Sequence, residues 1–153
     1  MTAYTTYSDG STITAKGGAN AAGFPSWVVF ENVFDASKRN LVQNDVAAVL
    51  SIPAGTLIMG VHWEVETVEG ASRNFAIGDG SDTNGFIETT DGNTLASGAT
   101  ALALTEATPN TVTGYSAGKY YSAADTLDVL AVTSGGLTAL KLRVKAYGFQ
   151  FGV

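Results

Sequence analysis

The chain has 153 residues, no cysteine, a net charge of −6 and a charged fraction of only 14%. That length suits one domain with a sizeable core. The acidic balance excludes nucleic acid as the main partner, because phosphate recognition needs a basic footprint and the longest basic run is Lys38-Arg39. No apolar stretch is long enough to cross a membrane, and Met1-Thr2-Ala3-Tyr4-Thr5-Thr6-Tyr7 lacks the charged and apolar regions of a secretory signal. The absence of Cys removes disulfides, zinc–thiolate sites and thiol nucleophiles together. These features predict synthesis in a cytoplasm, with oligomerisation rather than cross-linking as the source of endurance outside it. Low charge and 18 Gly fit a turn-rich β-protein, or a surface largely covered by partners.

Residues 1–26, rich in Thr, Ser, Gly and Ala, are expected to form an arm or loop with at most one short strand. Tyr4, Tyr7 and Ile13 are its candidate anchors on a neighbouring subunit; a loosely ordered tail is the alternative. Residues 27–153 are expected to form a single domain. Trp27 to Asp35 reads as the first strand, and Gln43 to Ile52 as the second, although Asp45-Val46-Ala47-Ala48-Val49-Leu50 also fits a short helix. Pro53-Ala54-Gly55 turns the chain. Leu57 to Val68 reads as a long strand, with Val61, Trp63, Val65 and Thr67 on one face and His62, Glu64, Glu66 and Val68 on the other. Shorter strands follow at Asn74 to Gly78, Phe86 to Thr90, Ala99 to Leu104 and Lys119 to Ser122. Thr126 to Thr133 is strong, Ser134-Gly135-Gly136 reads as a hairpin turn, and Leu137 to Phe151 is the last strand. Strands every ten residues or so, joined by Gly-rich turns, predict an all-β antiparallel sandwich of jelly-roll type with an extended N-terminal arm.

The sequence offers little chemistry. Ile77-Gly78-Asp79-Gly80-Ser81-Asp82-Thr83-Asn84-Gly85-Phe86 has the composition of a calcium loop, but setting Gly85 at position six of an EF-hand puts Gly80 first and Asp91 twelfth. The alternatives are a turn using Asp, Asn and Gly for local caps, or a non-EF cation site at Asp79 and Asp82. His62, Glu64 and Glu66 span roughly 13 Å along one strand face and cannot share one ion. Lys141, Arg143 and Lys145 form a matching basic stripe, so cross-strand ion pairs are expected if the two strands are neighbours. One His leaves little room for a Ser-His-Asp arrangement, and no phosphate loop or nucleophile elbow is present. No catalytic residue and no cofactor are assigned, and an enzyme is not expected. Trp27, Trp63, Phe30, Phe34 and Tyr147 read as core rather than as a sugar platform. Of Tyr120 and Tyr121, adjacent in a strand, one must face outward. Phe149-Gln150-Phe151-Gly152-Val153 is apolar enough to be packed. The interface candidates are therefore Tyr4, Tyr7, Tyr120, Tyr121, Phe149 and Phe151.

Five phrases in order carry a resemblance: Ile52-Pro53-Ala54-Gly55-Thr56, Val65-Glu66-Thr67-Val68-Glu69-Gly70, Ile77 to Phe86, Gly118-Lys119-Tyr120-Tyr121-Ser122-Ala123-Ala124-Asp125-Thr126-Leu127-Asp128-Val129, and Lys141-Leu142-Arg143-Val144-Lys145-Ala146-Tyr147. Together they resemble the small head-decoration, or capsid cement, proteins of tailed bacteriophages, over Asn44 to Tyr147. The resemblance implies a trimeric β-sandwich that binds between major capsid subunits on the outer surface of the virion and stabilises the head after assembly in the host cytoplasm. It supplies no catalytic residues. Two other readings stay open: a tail, fibre or spike component, and a carbohydrate-binding module with Tyr120 or Tyr121 as platform and calcium at Asp79 and Asp82.

Overall fold

The computed structural model describes residues 3–4, 25–99, 114–115 and 117–151, and every regular element among them is a strand. In chain order they are β1 (Ala3–Tyr4), β2 (Ser26–Asp35), β3 (Val46–Ile52), β4 (Thr56–Thr67), β5 (Asn74–Gly78), β6 (Ile87–Asp91), β7 (Ser97–Ala99), β8 (Lys119–Tyr121), β9 (Asp125–Ala131) and β10 (Lys141–Gln150). One sheet runs β1-β3-β9-β5-β6. The other runs β2-β10-β4-β7, with β8 on the same edge of β4 as β7. All pairings are antiparallel except β1 with β3, where Ala3 and Tyr4 lie opposite Val46 and Ala47. With β1 and β7 set aside, the eight remaining strands fall in the order first-eighth-third-sixth in one sheet and second-seventh-fourth-fifth in the other. That winding is a jelly roll, so the predicted all-β sandwich holds.

Alternation builds the core. β2 turns Val28, Phe30 and Phe34 inward, β10 turns Leu142, Val144 and Ala146, and β9 turns Leu127, Val129 and Ala131; all are buried. Trp63 of β4 meets Phe75 of β5 edge-on at 5.4 Å, joining the two sheets across the core. The expected inward set Val61, Trp63 and Val65 is buried, while Thr67 is exposed where β4 ends.

Two bulges shift the phase of this pattern. In β4 the register against β10 slips between Tyr147 and Gly148, so the inward residues are Thr56 and Ile58 before the slip and Val61, Trp63 and Val65 after it. Gly60 sits at the slip, and a Cβ there would fall 2.4 Å from the Tyr147 hydroxyl oxygen; the ring lies over the space a side chain would need. In β3 the slip lies between Ala48 and Leu50. Ala47 and Leu50 both reach the core three residues apart, and that step is what gives this segment its helix-like spacing. The segment is a strand. The bulge leaves the Val49 carbonyl out of register, and the buried Asn32 side chain of β2 donates to it at 2.9 Å, tying one sheet to the other.

Ser134-Gly135-Gly136 is not a hairpin turn. β9 and β10 lie in different sheets, so the chain between them crosses the end of the sandwich, and the last strand begins at Lys141 rather than Leu137. Leu137 makes a single bridge with Leu41, and Leu137 and Leu140 are fully buried. They belong to the core without belonging to a sheet. Glu69, itself buried, clamps this crossover. Its carboxylate accepts from the backbone N–H groups of Thr138 (2.7 Å), Ala139 (2.9 Å) and Leu140 (2.7 Å) and from the Thr138 hydroxyl (2.6 Å). The expected strand Ala99 to Leu104 lies outside the described residues after Ala99, where β7 precedes it.

Replacing Glu69 with Ala strands three backbone donors at the end of the core. The expected cost is about 2–4 kcal/mol in urea unfolding, whereas Thr138→Val, which removes only the hydroxyl bond, should cost about 1 kcal/mol.

Candidate functional site

Two regions carry the residues singled out in the sequence. The first is the loop after β5. Gly78 ends β5 with the chain folded back over it, so that a Cβ would fall 2.0 Å from the Asp82 carbonyl oxygen. Asp79 N–H and Gly85 N–H both donate to that carbonyl, at 2.9 and 3.1 Å. The Asp79 carboxylate is fully buried. One oxygen accepts from Ser81 N–H (2.8 Å), Asp82 N–H (3.1 Å) and the Tyr115 hydroxyl (3.0 Å). The other accepts from the Tyr121 hydroxyl (2.8 Å) and from the Lys119 ammonium. Lys119 also donates to the Tyr115 hydroxyl at 2.8 Å, and its ammonium lies over the Tyr115 ring, 4.3 Å from the centroid.

The cation in this loop is thus the chain's own lysine. Five donors take up the two Asp79 oxygens, while Asp82 gives its backbone carbonyl to Asp79 and Gly85 N–H and a carboxylate oxygen to Asn84 N–H at 3.4 Å. Among the described residues no three His, Asp or Glu are placed to hold a metal ion. Burial works to raise the Asp79 pKa, but the bonds from Lys119, Tyr121, Ser81 and Asp82 outweigh it and hold the carboxyl below its usual range. Burial and the adjacent carboxylate push the Tyr121 hydroxyl up. Tyr121, an expected interface residue, is therefore a buried member of this network, 3% exposed. Together, its burial and the Lys119–Asp79 pair take away one of the two candidate platforms and the calcium site of the carbohydrate-binding reading.

Asp128 is a second buried carboxylate that the sequence reading did not single out. Leu127 and Val129 face the core, so Asp128 points to the other side of its sheet, between Ala48 of β3 and Gly78 of β5. It is 8% exposed, and its Oδ1 has no hydrogen-bond partner. Burial, reinforced by the charges of Asp125 and Asp79, pushes its pKa up to about 6.

The second region is the outer face of the β2-β10-β4-β8 sheet. The expected cross-strand ion pairs form here, because β10 lies between β2 and β4. Arg143 pairs with Glu66 of β4 and, at 2.5 Å, with Glu31 of β2; Lys141 reaches Glu66 at 3.3 Å and Lys145 reaches Glu31 at 3.7 Å. Each pair is partly exposed and contributes little alone, but the network fixes which residues face outward. The other end of the face is aromatic. Trp27, expected in the core, is 50% exposed because it lies on the outward phase of β2. It stacks on Tyr147 at 6.0 Å and meets Phe149 edge-on at 5.2 Å. Tyr120 (53% exposed) meets Phe151 (38% exposed) edge-on at 6.2 Å. Of the expected interface residues, Tyr120, Phe149 and Phe151 come together here. Tyr4 contributes its backbone to β1, and Tyr7 lies outside the described residues.

No protein-family model and no curated protein matches the chain. Solved structures do match in fold. A chain of the acidic stable capsid structure of Helicobacter pylori bacteriophage KHP30 is 12% identical with a TM-score of 0.56, and the match covers 82% of this chain and 89% of that one. A chain of the capsid asymmetric unit of cyanophage Pam1 is 17% identical with a TM-score of 0.54, covering 96% and 98%. A chain of the capsid of Ralstonia phage GP4 is 10% identical with a TM-score of 0.56, covering 89% and 90%. At these identities the likeness is one of fold, and it covers 82–96% of this chain and 89–98% of the others.

Because Lys119 occupies the cation position, neither millimolar calcium nor a chelator should move the melting temperature by more than about 1 °C. Lys119→Met, which leaves the Asp79 charge buried without its partner, should cost about 3 kcal/mol. The pH dependence has two opposed parts. Asp79 and Glu69, held low, contribute stability above about pH 4 that is lost as pH falls through their folded pKa values. Asp128, raised, contributes stability that is complete below its unfolded value and lost as pH rises through about 6. Asp128→Asn should therefore raise stability by roughly 1–3 kcal/mol near pH 8 and change it little near pH 4, as followed by thermal unfolding across that range.

Proposed function

We propose that the chain is a structural protein of a phage virion, a head-decoration or cement subunit that binds between major capsid subunits on the outer surface of the shell and stabilises it. One observation carries the reading: the fold matches chains of three phage capsid structures over most of their length, with 89–98% of each of those chains covered. A match to whole small chains supports a separate subunit rather than one domain of a larger shell protein. The surface agrees, since the described residues offer ion pairs, aromatic rings and closed loops. Within the same reading the subunit is a trimer that joins the shell after synthesis in the host cytoplasm, and residues 1–26 serve as an arm alongside the 27–153 domain.

Electron cryomicroscopy of the source particle, with the chain quantified by mass spectrometry, tests this. Density for the jelly roll on the outer shell, at a copy number comparable with that of the major capsid protein, is the expected result. A few copies confined to the tail or to one vertex would move the protein to a tail, fibre or spike role. Absence from the particle would end the virion reading.

A further inference from the structure

We propose that the loop at residues 79–85 is a pH-sensitive element: it closes over the Asp128 carboxyl group while that group is neutral and lifts from it when the group ionises. The proposal is independent of the virion reading.

The geometry follows from the register. Ile77 lies opposite Val129, and both face the core. Gly78 lies opposite Asp128, so both are directed to the outer side of their sheet, with Cβ positions about 5 Å apart. The loop itself fills the space beyond Gly78. A Cβ there would fall 2.0 Å from the Asp82 carbonyl oxygen, 2.4 Å from the Thr83 carbonyl carbon and 2.7 Å from the Asn84 backbone nitrogen. The backbone of residues 82–84 is therefore laid on the outer face of the sheet beside Asp128. This cover accounts for a carboxyl group on the outer phase of a strand that is only 8% exposed and has no hydrogen-bond partner at Oδ1.

The surroundings favour the neutral form. β3 and β5, which flank β9, place Ala48 and Gly78 beside Asp128 and hold no titratable residue. The loop brings Asp79 and Asp82, and β9 brings Asp125; all three are acids. Lys119 of β8 is committed to Asp79 and to the Tyr115 hydroxyl, and the Tyr121 hydroxyl to Asp79. Burial is the largest influence on Asp128 and the charges of Asp125 and Asp79 add to it, while the Thr126 side chain, on the same face two residues earlier, favours the anion.

An anion in this place needs water or donors. The strands on either side of Asp128 are hydrogen-bonded into the sheet. The middle of the loop is held more lightly: Ser81 and Asp82 N–H donate to the Asp79 carboxylate, and Asp79 and Gly85 N–H donate to the Asp82 carbonyl. Gly80, Ser81 and Asn84 are exposed. Opening residues 80–84 lets water reach Oδ1 without parting any strands, and local openings of this kind cost less than global unfolding. With the loop closed the group titrates near 6; with the loop open it returns toward the ordinary value of about 3.9. Opening therefore becomes easier as pH rises from 4 through 6, by up to about 50-fold, and levels off above.

Amide hydrogen exchange of the full chain, followed by NMR from pH 4 to pH 7.5 and corrected for the intrinsic pH dependence of exchange, tests the proposal. The amides of Asp79 and Gly85 should exchange faster than those of β10 at every pH, and their opening should increase at least tenfold between pH 4 and pH 7. In Asp128→Asn the increase should be absent. Loop amides whose opening does not change with pH, that exchange at the rate and with the pH dependence of β10, or that keep their increase in Asp128→Asn overturn the proposal. If that variant does not fold, carbon-13 titration of the wild-type Asp128 carboxyl group decides: a midpoint at the pH where loop opening levels off supports the coupling, and a midpoint elsewhere overturns it.

Discussion

β10 is the strand on which the rest of the structure is registered. It pairs with β2 on one side and β4 on the other, from Lys141 to Gln150. Its alternation then makes three assignments at once. Leu142, Val144 and Ala146 enter the core, Lys141, Arg143 and Lys145 stand between the acids of the flanking strands, and Tyr147 and Phe149 pack against Trp27 at the aromatic end of the outer face. A slip of one residue would bury the bases and expose the leucine and valine, so both neighbouring registers are strongly specified. The same strand thus defines the inside of the sandwich and its outer face.

Away from the sheets, order is imposed by buried carboxylates. Asp79 closes the loop after β5 with two backbone N–H groups, two phenols and an ammonium. Glu69 closes the β9–β10 crossover with three backbone N–H groups and a hydroxyl. A buried charge is tolerable only when its oxygens are satisfied, and each of these accepts four or five bonds. Loops that other proteins fix with calcium or cystine are fixed here by side chains of the chain itself. Asp128 has no such set of donors, so its burial raises its pKa where the other two are held low.

Much of the sheet structure was legible because it obeys a period of two. Val61 to Val65 and Lys141 to Lys145 read correctly face by face, and the ion pairs expected of the acidic and basic stripes if their strands were neighbours do form; Tyr147, expected in the core, stands on the outer face in phase with the bases of β10. The bulges were not legible. At Val49 an extra residue converts a strand's spacing into one that imitates a helix, and at Gly60 it reverses which residues face inward. The β9–β10 crossover was misread because two Gly residues after Ser134 suit a hairpin and a loop equally well. The Asp79 network was half visible: Lys119 and Tyr121 sit two apart on one strand face, but nothing local links them to a carboxylate 40 and 42 residues earlier. Trp27 was misplaced because an aromatic in a strand reads as core until its phase is fixed by its neighbours.

The position of β10 in the chain has a kinetic consequence. The strand between β2 and β4 comes after every other strand of the described residues, and its partners begin at Ser26 and Thr56. Until β10 is available, β2 and β4 have no neighbour between them and expose long unpaired edges. The sheet cannot be built by adding strands as they are synthesised; it must close around its centre last, over long sequence separations. Such a topology folds slowly and spends that interval open to pairing with other nascent chains. Heterologous production should then be limited less by the stability of the finished sandwich than by chain concentration while the central strand is still missing.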